Sequence, residues 1–249
     1  MKAIITGHSR GLGAALATEL LACGIGVLGI ARSGNTALQR RYPQLVQQAV
    51  DLSDLAALQA WLASGAIEQF VGQDTVLLVN NAASAGPLGP GGSVGSRAVG
   101  AALALNAGAP MMLCEHVLGL PHVAGRQCRI MHVSSGASVS ALPGWSSYCA
   151  SKAALDQQAR CIAAEARPDV RIASVMPGVI DTDMQSELRQ QRDDFALRDM
   201  FVRMHASGAL QSPQRCARRL AAWLLDERFG ESPVLSLDAA GARAVDVVA

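Results

Sequence analysis

Short aliphatic and β-branched runs alternate with longer stretches of helical composition from the start of the chain. Strands are expected at 2–6, 26–31, 44–50, 74–80, 129–135, 169–175 and 233–237, each closed by Gly, Pro, Asn, Asp or Ser. Helical patterns fall between them at 14–23, 55–63, 97–118, 150–166, 185–205 and 213–225. The run 74–80 is apolar without alternation, the form a strand takes when a parallel sheet is covered on both faces. A Gly- and Pro-rich stretch, 85–95, reads as a loop over one edge of that sheet. No internal repeat or linker divides residues 1–249, so one domain is expected.

Composition narrows the classes. Half the residues are apolar, 16% are charged and 24 glycines are spread along the chain, as in a globular protein with short turns. A net charge of +1, no basic stripe and only four Phe and two Tyr argue against a nucleic-acid partner. Cys23, Cys114, Cys128, Cys149, Cys161 and Cys216 show no ligand or redox spacing, so reduced thiols and no metal are expected. No uninterrupted apolar run approaches the roughly 18 residues of a membrane span. The first residues read as a strand rather than a signal peptide, and a cytoplasmic protein is expected.

The strand 2–6 runs into Gly7-His8-Ser9-Arg10-Gly11-Leu12-Gly13 and then a helix. That order suits a dinucleotide: Gly7 permits a tight turn, Gly11 admits a pyrophosphate and Gly13 lets the helix pack on the strand. Strand 26–31 ends in Ala31-Arg32-Ser33, where a site for NAD would place an acid on the ribose. Arg32 and Arg10 suit a 2′-phosphate instead, which points to NADP(H). Asp51, followed by Leu52, is placed to accept from an adenine amino group, and Ser53 or Asp54 to cap the next helix. The alternating pattern together with this turn predicts a single-domain α/β Rossmann fold. About seven parallel strands would lie between helices, with the crevice at their C-terminal ends.

Tyr148 and Lys152 stand four apart at the start of the helical run 150–166, on one helical face. An ammonium there would favour the phenolate of a group whose ordinary pKa is near ~10. Ser135, at the end of strand 129–135, converges on the same place. Asn106 interrupts the apolar pattern of 97–118, and Trp145 and Met184 are candidates for the substrate side. The segment 183–210, with Phe195, Met200, Phe201 and Met204 at helical spacing, is a candidate lid.

These residues resemble the short-chain dehydrogenase/reductase family over nearly the whole chain. Thr6 to Gly13 matches its Thr-Gly-x-x-x-Gly-x-Gly, and Asn80-Asn81-Ala82-Ala83 its Asn-Asn-Ala-Gly, with Ala83 in place of the last Gly. Asn106, Ser135, Tyr148, Lys152 and Pro177-Gly178 match its remaining motifs. The resemblance implies Tyr148 as general acid and Lys152 as its partner. It also implies Ser135 on the carbonyl oxygen and Asn106 holding a water that connects Lys152 to solvent. Cofactor contacts are implied for Thr6, Gly7, Ser9, Arg10, Gly11, Leu12, Gly13, Arg32, Asp51, Leu52, Asn80, Ala82, Pro177, Gly178, Val179 and Thr182, besides Tyr148 and Lys152. A homodimer or homotetramer is implied too.

Residues 177–185, 87–90 and 208–210 resemble sepiapterin reductases and bacterial benzil reductases, which implies NADPH-dependent reduction of a small vicinal diketone or α-keto compound. The resemblance implies an acid in the last strand that grips a pterin; here that strand reads Val234-Leu235-Ser236-Leu237 with Asp238 just beyond, so the grip is absent or displaced. The alternatives are a pterin side-chain reductase, a secondary-alcohol dehydrogenase and an idle NADPH-binding redox sensor.

Overall fold

The computed structural model describes residues 1–121, 126–191 and 195–238. The chain opens with β1 (Lys2–Thr6), α1 (Gly11–Ala22), β2 (Gly26–Ala31), α2 (Thr36–Arg41), β3 (Val46–Ala49), α3 (Leu55–Leu62), α4 (Ala66–Val71) and β4 (Val76–Asn80). A long helix follows as α5 (Ser96–Leu103), a π turn (Ala104–Gly108) and α6 (Ala109–Leu118). Then come β5 (Cys128–Val133), a 3₁₀ turn (Gly136–Val139), α7 (Ser146–Ala164), β6 (Val170–Met176), α8 (Asp183–Arg189), α9 (Arg198–Ala206), α10 (Pro213–Leu225) and β7 (Val234–Ser236).

Among the described residues the strands form one parallel seven-stranded sheet in the order β3-β2-β1-β4-β5-β6-β7. The order reverses between β1 and β4, where Ile5 lies opposite Gly29 on one side and Val79 on the other. A crevice opens beyond the carboxyl ends at such a reversal.

Strand periodicity divides the core in two. Ala3, Ile5, Val27, Leu77, Val79 and Met131 pack with Leu16, Leu20, Leu220 and Leu224 of α1 and α10. Ile4, Leu28, Ile30, Leu78 and Ile130 face the other way, onto Leu58, Leu113, Val117 and Ile162. Each buried aliphatic side chain contributes about 1.5–3 kcal/mol. Both faces of β4 are thus apolar, as its uninterrupted run requires.

Several boundaries differ from the periodicity. Helix α1 begins at Gly11 and α7 at Ser146, which places Tyr148 inside the first turn of its helix. The six-residue helices α2 and α4 are too short to show a period. The cap of α3 is Asp54, which accepts from Ala56 and Ala57 N–H groups; Ser53 instead donates to Asp51. The expected helix 97–118 contains a π turn at Asn106. By length and composition this 23-residue helix is apolar enough to cross a bilayer, yet Ala109, Leu113 and Val117 belong to the core. The stretch 185–205 is two helices, and residues 192–194 of the expected lid lie outside those described.

Candidate active site

At the reversal point Thr6 and Asn81 tie two loops together. The Thr6 hydroxyl accepts from the N–H groups of Asn81 and Ala82, both at 2.9 Å. The Asn81 amide in turn donates to the Thr6 carbonyl at 2.9 Å. Gly7 and Gly11 have φ of +72° and +56°, which side chains resist, and a Cβ on Gly13 would stand 2.2 Å from the Gly7 carbonyl oxygen. The turn is therefore flat against the start of α1, whose first N–H groups carry no side-chain cap.

Ser9, Arg10, Gly11, Leu12 and Gly13 line a cleft of about 1180 Å³ with Arg32, Ser33, Asp51, Leu52 and Ala82. Pro177, Gly178, Val179 and Thr182 line it from β6 onward. At the mouth Arg10 pairs with Asp183 at 3.3 Å, both side chains about two-thirds exposed, a contact worth roughly 0–1 kcal/mol. Thr6 is buried and acts through the loops it joins. Asn80 points away from the cleft: its amide donates to His132 Nδ1 at 3.2 Å and lies 3.5 Å from the Cys114 sulfur. Burial holds His132 neutral, pushed down to about 4. Asn81, the neighbour, takes the place expected of Asn80 on the cleft wall.

The far end of the cleft holds Ser135, Trp145, Tyr148, Lys152 and Met184 together. Pro143-Gly144, with φ +75° at Gly144, turns the chain into α7 so that Tyr148 and Lys152 share its buried face. Burial pushes the Tyr148 phenol up to about 12, while a hydrogen bond from Ser135 works the other way. The same burial draws Lys152 down to about 8, opposed by the charge of Asp156. The Lys152 ammonium donates to the Val133 carbonyl at 2.8 Å and stands 5.6 Å from the Tyr148 ring centroid. Of the effects acting on the phenol, desolvation is the largest.

Asn106 is buried, and its amide is engaged on both sides of Ser84. It accepts from the Ser84 N–H and donates to the Ser84 carbonyl, each at 2.9 Å, and reaches Ser151 Oγ at 3.3 Å. It thus fixes the loop after β4 to α7 from behind the cleft. π turns of this kind recur beside functional sites because they re-aim a side chain.

The outer wall is apolar. Trp145 stacks on Tyr148, and Phe195 and Phe201 meet the indole edge-on. Leu142, Leu188, Met184, Met200 and Met204 complete the cluster. Asp156 escaped sequence reasoning, although it follows Lys152 by four on the same face. It is buried and accepts from Ser134 and Ser174 at 2.7 and 2.6 Å.

Residues 1–193 match the profile of the family described as short chain dehydrogenase. The chain belongs to the short-chain dehydrogenase/reductase family. As a short-chain dehydrogenase/reductase it is similar to the benzil reductase ((S)-benzoin forming) of Bacillus cereus, 31% identical over 94% of this chain and 98% of that one. The sepiapterin reductase of Meriones unguiculatus is 34% identical over 91% and 92%. Among solved structures, a short-chain dehydrogenase/reductase from Burkholderia vietnamiensis is 40% identical, with a TM-score of 0.69 over 95% and 96% of the two chains.

Enzymes of the family are oxidoreductases that use nicotinamide cofactors. The residues here fit such a cofactor: an uncapped helix start behind a glycine turn suits a pyrophosphate, and the cleft exceeds the ~300–1,000 Å³ usual for one small molecule.

Proposed function

We propose that this protein is an NADPH-dependent carbonyl reductase acting on a neutral, apolar ketone, in particular a vicinal diketone or α-keto compound. The observation that carries the reading is the meeting of Tyr148, Ser135 and Lys152 on one cleft wall, set against an apolar face of Trp145, Phe201 and methionines. The cofactor, when bound, supplies hydride to the carbonyl carbon. Arg10, Arg32 and Ser33 would hold a 2′-phosphate, with Asp51 and Leu52 beside the adenine.

Tyr148 donates its proton to the carbonyl oxygen as charge develops there, and Ser135 hydrogen-bonds the same oxygen and orients it. Lys152 offsets the negative charge left on the phenolate, and Asn106 keeps the loop at Ser84 in register with α7. Trp145 and Met184 bound the ketone's substituents, and α8 with α9 forms a cover over them within one domain.

Similarity to sepiapterin reductase raises a pterin side chain as a second substrate. Against it, Asp238, just beyond β7, is absent from the cleft lining: its carboxylate is exposed and pairs with Arg219 at 3.0 Å. Assays of benzil, other vicinal diketones, simple α-keto compounds and sepiapterin with NADPH and NADH test the proposal. Aryl diketones with NADPH are expected to give the highest kcat/KM. Nucleotide binding without turnover of any carbonyl would instead support a redox-sensing protein.

A further inference from the structure

His8, inside the glycine turn, is a bulky residue with no solvent exposure, and the chain makes room for it across the sheet. A Cβ on Gly29 of β2 would stand 2.3 Å from its ring. Its Nε2 lies 2.8 Å from Gln47 Oε1 on β3, and the same oxygen accepts from the Asn35 N–H at 2.6 Å. Asn35 donates from its side chain to the Ser9 carbonyl at 3.1 Å and accepts from the Leu38 N–H at 2.9 Å. Gln47 Nε2 donates to Gln39 Oε1 at 2.7 Å, and Gln39 Nε2 donates to the Pro43 carbonyl at 3.1 Å.

The polarity of this network is fixed. Backbone N–H groups only donate and carbonyls only accept, so the Pro43 carbonyl orients Gln39 and the Asn35 N–H orients Gln47. His8 must then carry a proton on Nε2 and donate it to Gln47. Two loops that line the cleft are thereby joined from beneath: the turn bearing Ser9 and Arg10, and the segment bearing Arg32 and Ser33.

We infer that His8, Gln47 and Asn35 form a brace that fixes the spacing of the Arg10 and Arg32 loops and so sets selectivity for a 2′-phosphate. These are positioning residues: none of them needs to touch the nucleotide. The inference rests on the NADP(H) reading above. Its physical basis is that a dianion is gripped by two guanidiniums only when both loops hold a common distance; the Gly7 N–H on the Ile30 carbonyl at 2.8 Å fixes the loop bases, and the brace fixes them farther out, at Ser9 and Asn35. A nucleotide without the 2′-phosphate makes no such demand.

The test is calorimetric titration of the full chain with adenosine 2′,5′-bisphosphate and with adenosine 5′-monophosphate, which needs no turnover. Wild type is expected to prefer the bisphosphate by at least about tenfold, ~1.4 kcal/mol. Gln47→Leu, which removes the acceptor shared by His8 and Asn35, should bring that ratio to within about threefold of unity while monophosphate affinity changes by less than about twofold. Retention of the wild-type ratio in Gln47→Leu overturns the inference and leaves the NADP(H) reading intact. A wild-type ratio near one overturns both. Should Gln47→Leu lack a cooperative thermal transition, His8→Ala combined with Gly29→Ala decides by the same ratio. A fall of at least about threefold supports the brace and an unchanged ratio rejects it. A brace that served stability alone would lower Tm in these variants without moving the ratio.

Discussion

The indole of Trp145 lies against the phenol ring of Tyr148, with centroids 4.5 Å apart and planes inclined by 14°. Its Nε1 donates to the Ala85 carbonyl at 2.6 Å, so the loop after β4, the indole and the phenol form one rigid stack. Trp145→Ala should remove that support. A destabilisation of about 3–5 kcal/mol is expected from the lost volume, and the variant's KM for aryl ketones should rise together with a fall in kcat. Trp145→Phe retains a stacked ring and should lose about 1 kcal/mol in denaturant melts, for the missing hydrogen bond, with KM little changed.

Removing one oxygen tests the proton donor. Tyr148→Phe leaves the ring packed on Trp145 and should bind NADPH as wild type does in fluorescence titration. Its kcat should fall by about 10²–10⁴-fold, the usual contribution of a positioned acid. Wild-type turnover by this variant would remove Tyr148 from the chemistry.

The acid limb and the alkaline limb of the rate profile have different expectations. Reduction requires the phenol protonated and the ammonium charged. The first condition holds up to about 12 and the second fails as pH rises through about 8. The kcat/KM for reduction should therefore be level on the acid side of that range and decline above about pH 8 with loss of one proton. Asp156 raises the Lys152 pKa, so Asp156→Asn should move the decline to lower pH while the fold persists, since an amide oxygen still accepts from Ser134 and Ser174. An alkaline limb unmoved in this variant would show that another group controls it.

Close packing at the glycine turn predicts a steep response to a single methyl. Gly13→Ala would place its Cβ 2.2 Å from the Gly7 oxygen and 2.5 Å from Asn81 Nδ2. The turn must shift, at a cost of about 1–3 kcal/mol in thermal or denaturant unfolding. Nucleotide affinity measured by calorimetry should fall along with stability.

Much of this arrangement is visible in sequence. Period-two alternation separates Ala3 and Ile5 from Ile4, and the structure sends them to opposite layers. The glycines at 7, 11 and 13 mark a turn whose sterics are local. The four-residue spacing of Tyr148 and Lys152 places them on one face of α7 wherever that helix packs. Other features have no local signature. A π turn and an α turn at Asn106 have the same composition, and the choice was made by Ser84 and Ser151 on other segments. The division of the stretch 185–205 into α8 and α9 likewise depends on what Leu188 and Phe201 pack against.

By itself the sequence determined the succession of the seven strands, the glycine turn and the ladder from Tyr148 to Lys152. Each of these follows from backbone sterics and side-chain period within a few residues. Only the tertiary structure decided that Lys152 reaches the Val133 carbonyl, that the phenol of Tyr148 is buried, and that His8 occupies the space left by Gly29. These depend on which distant segments exclude water from a group or leave room for it, and no local pattern carries that information.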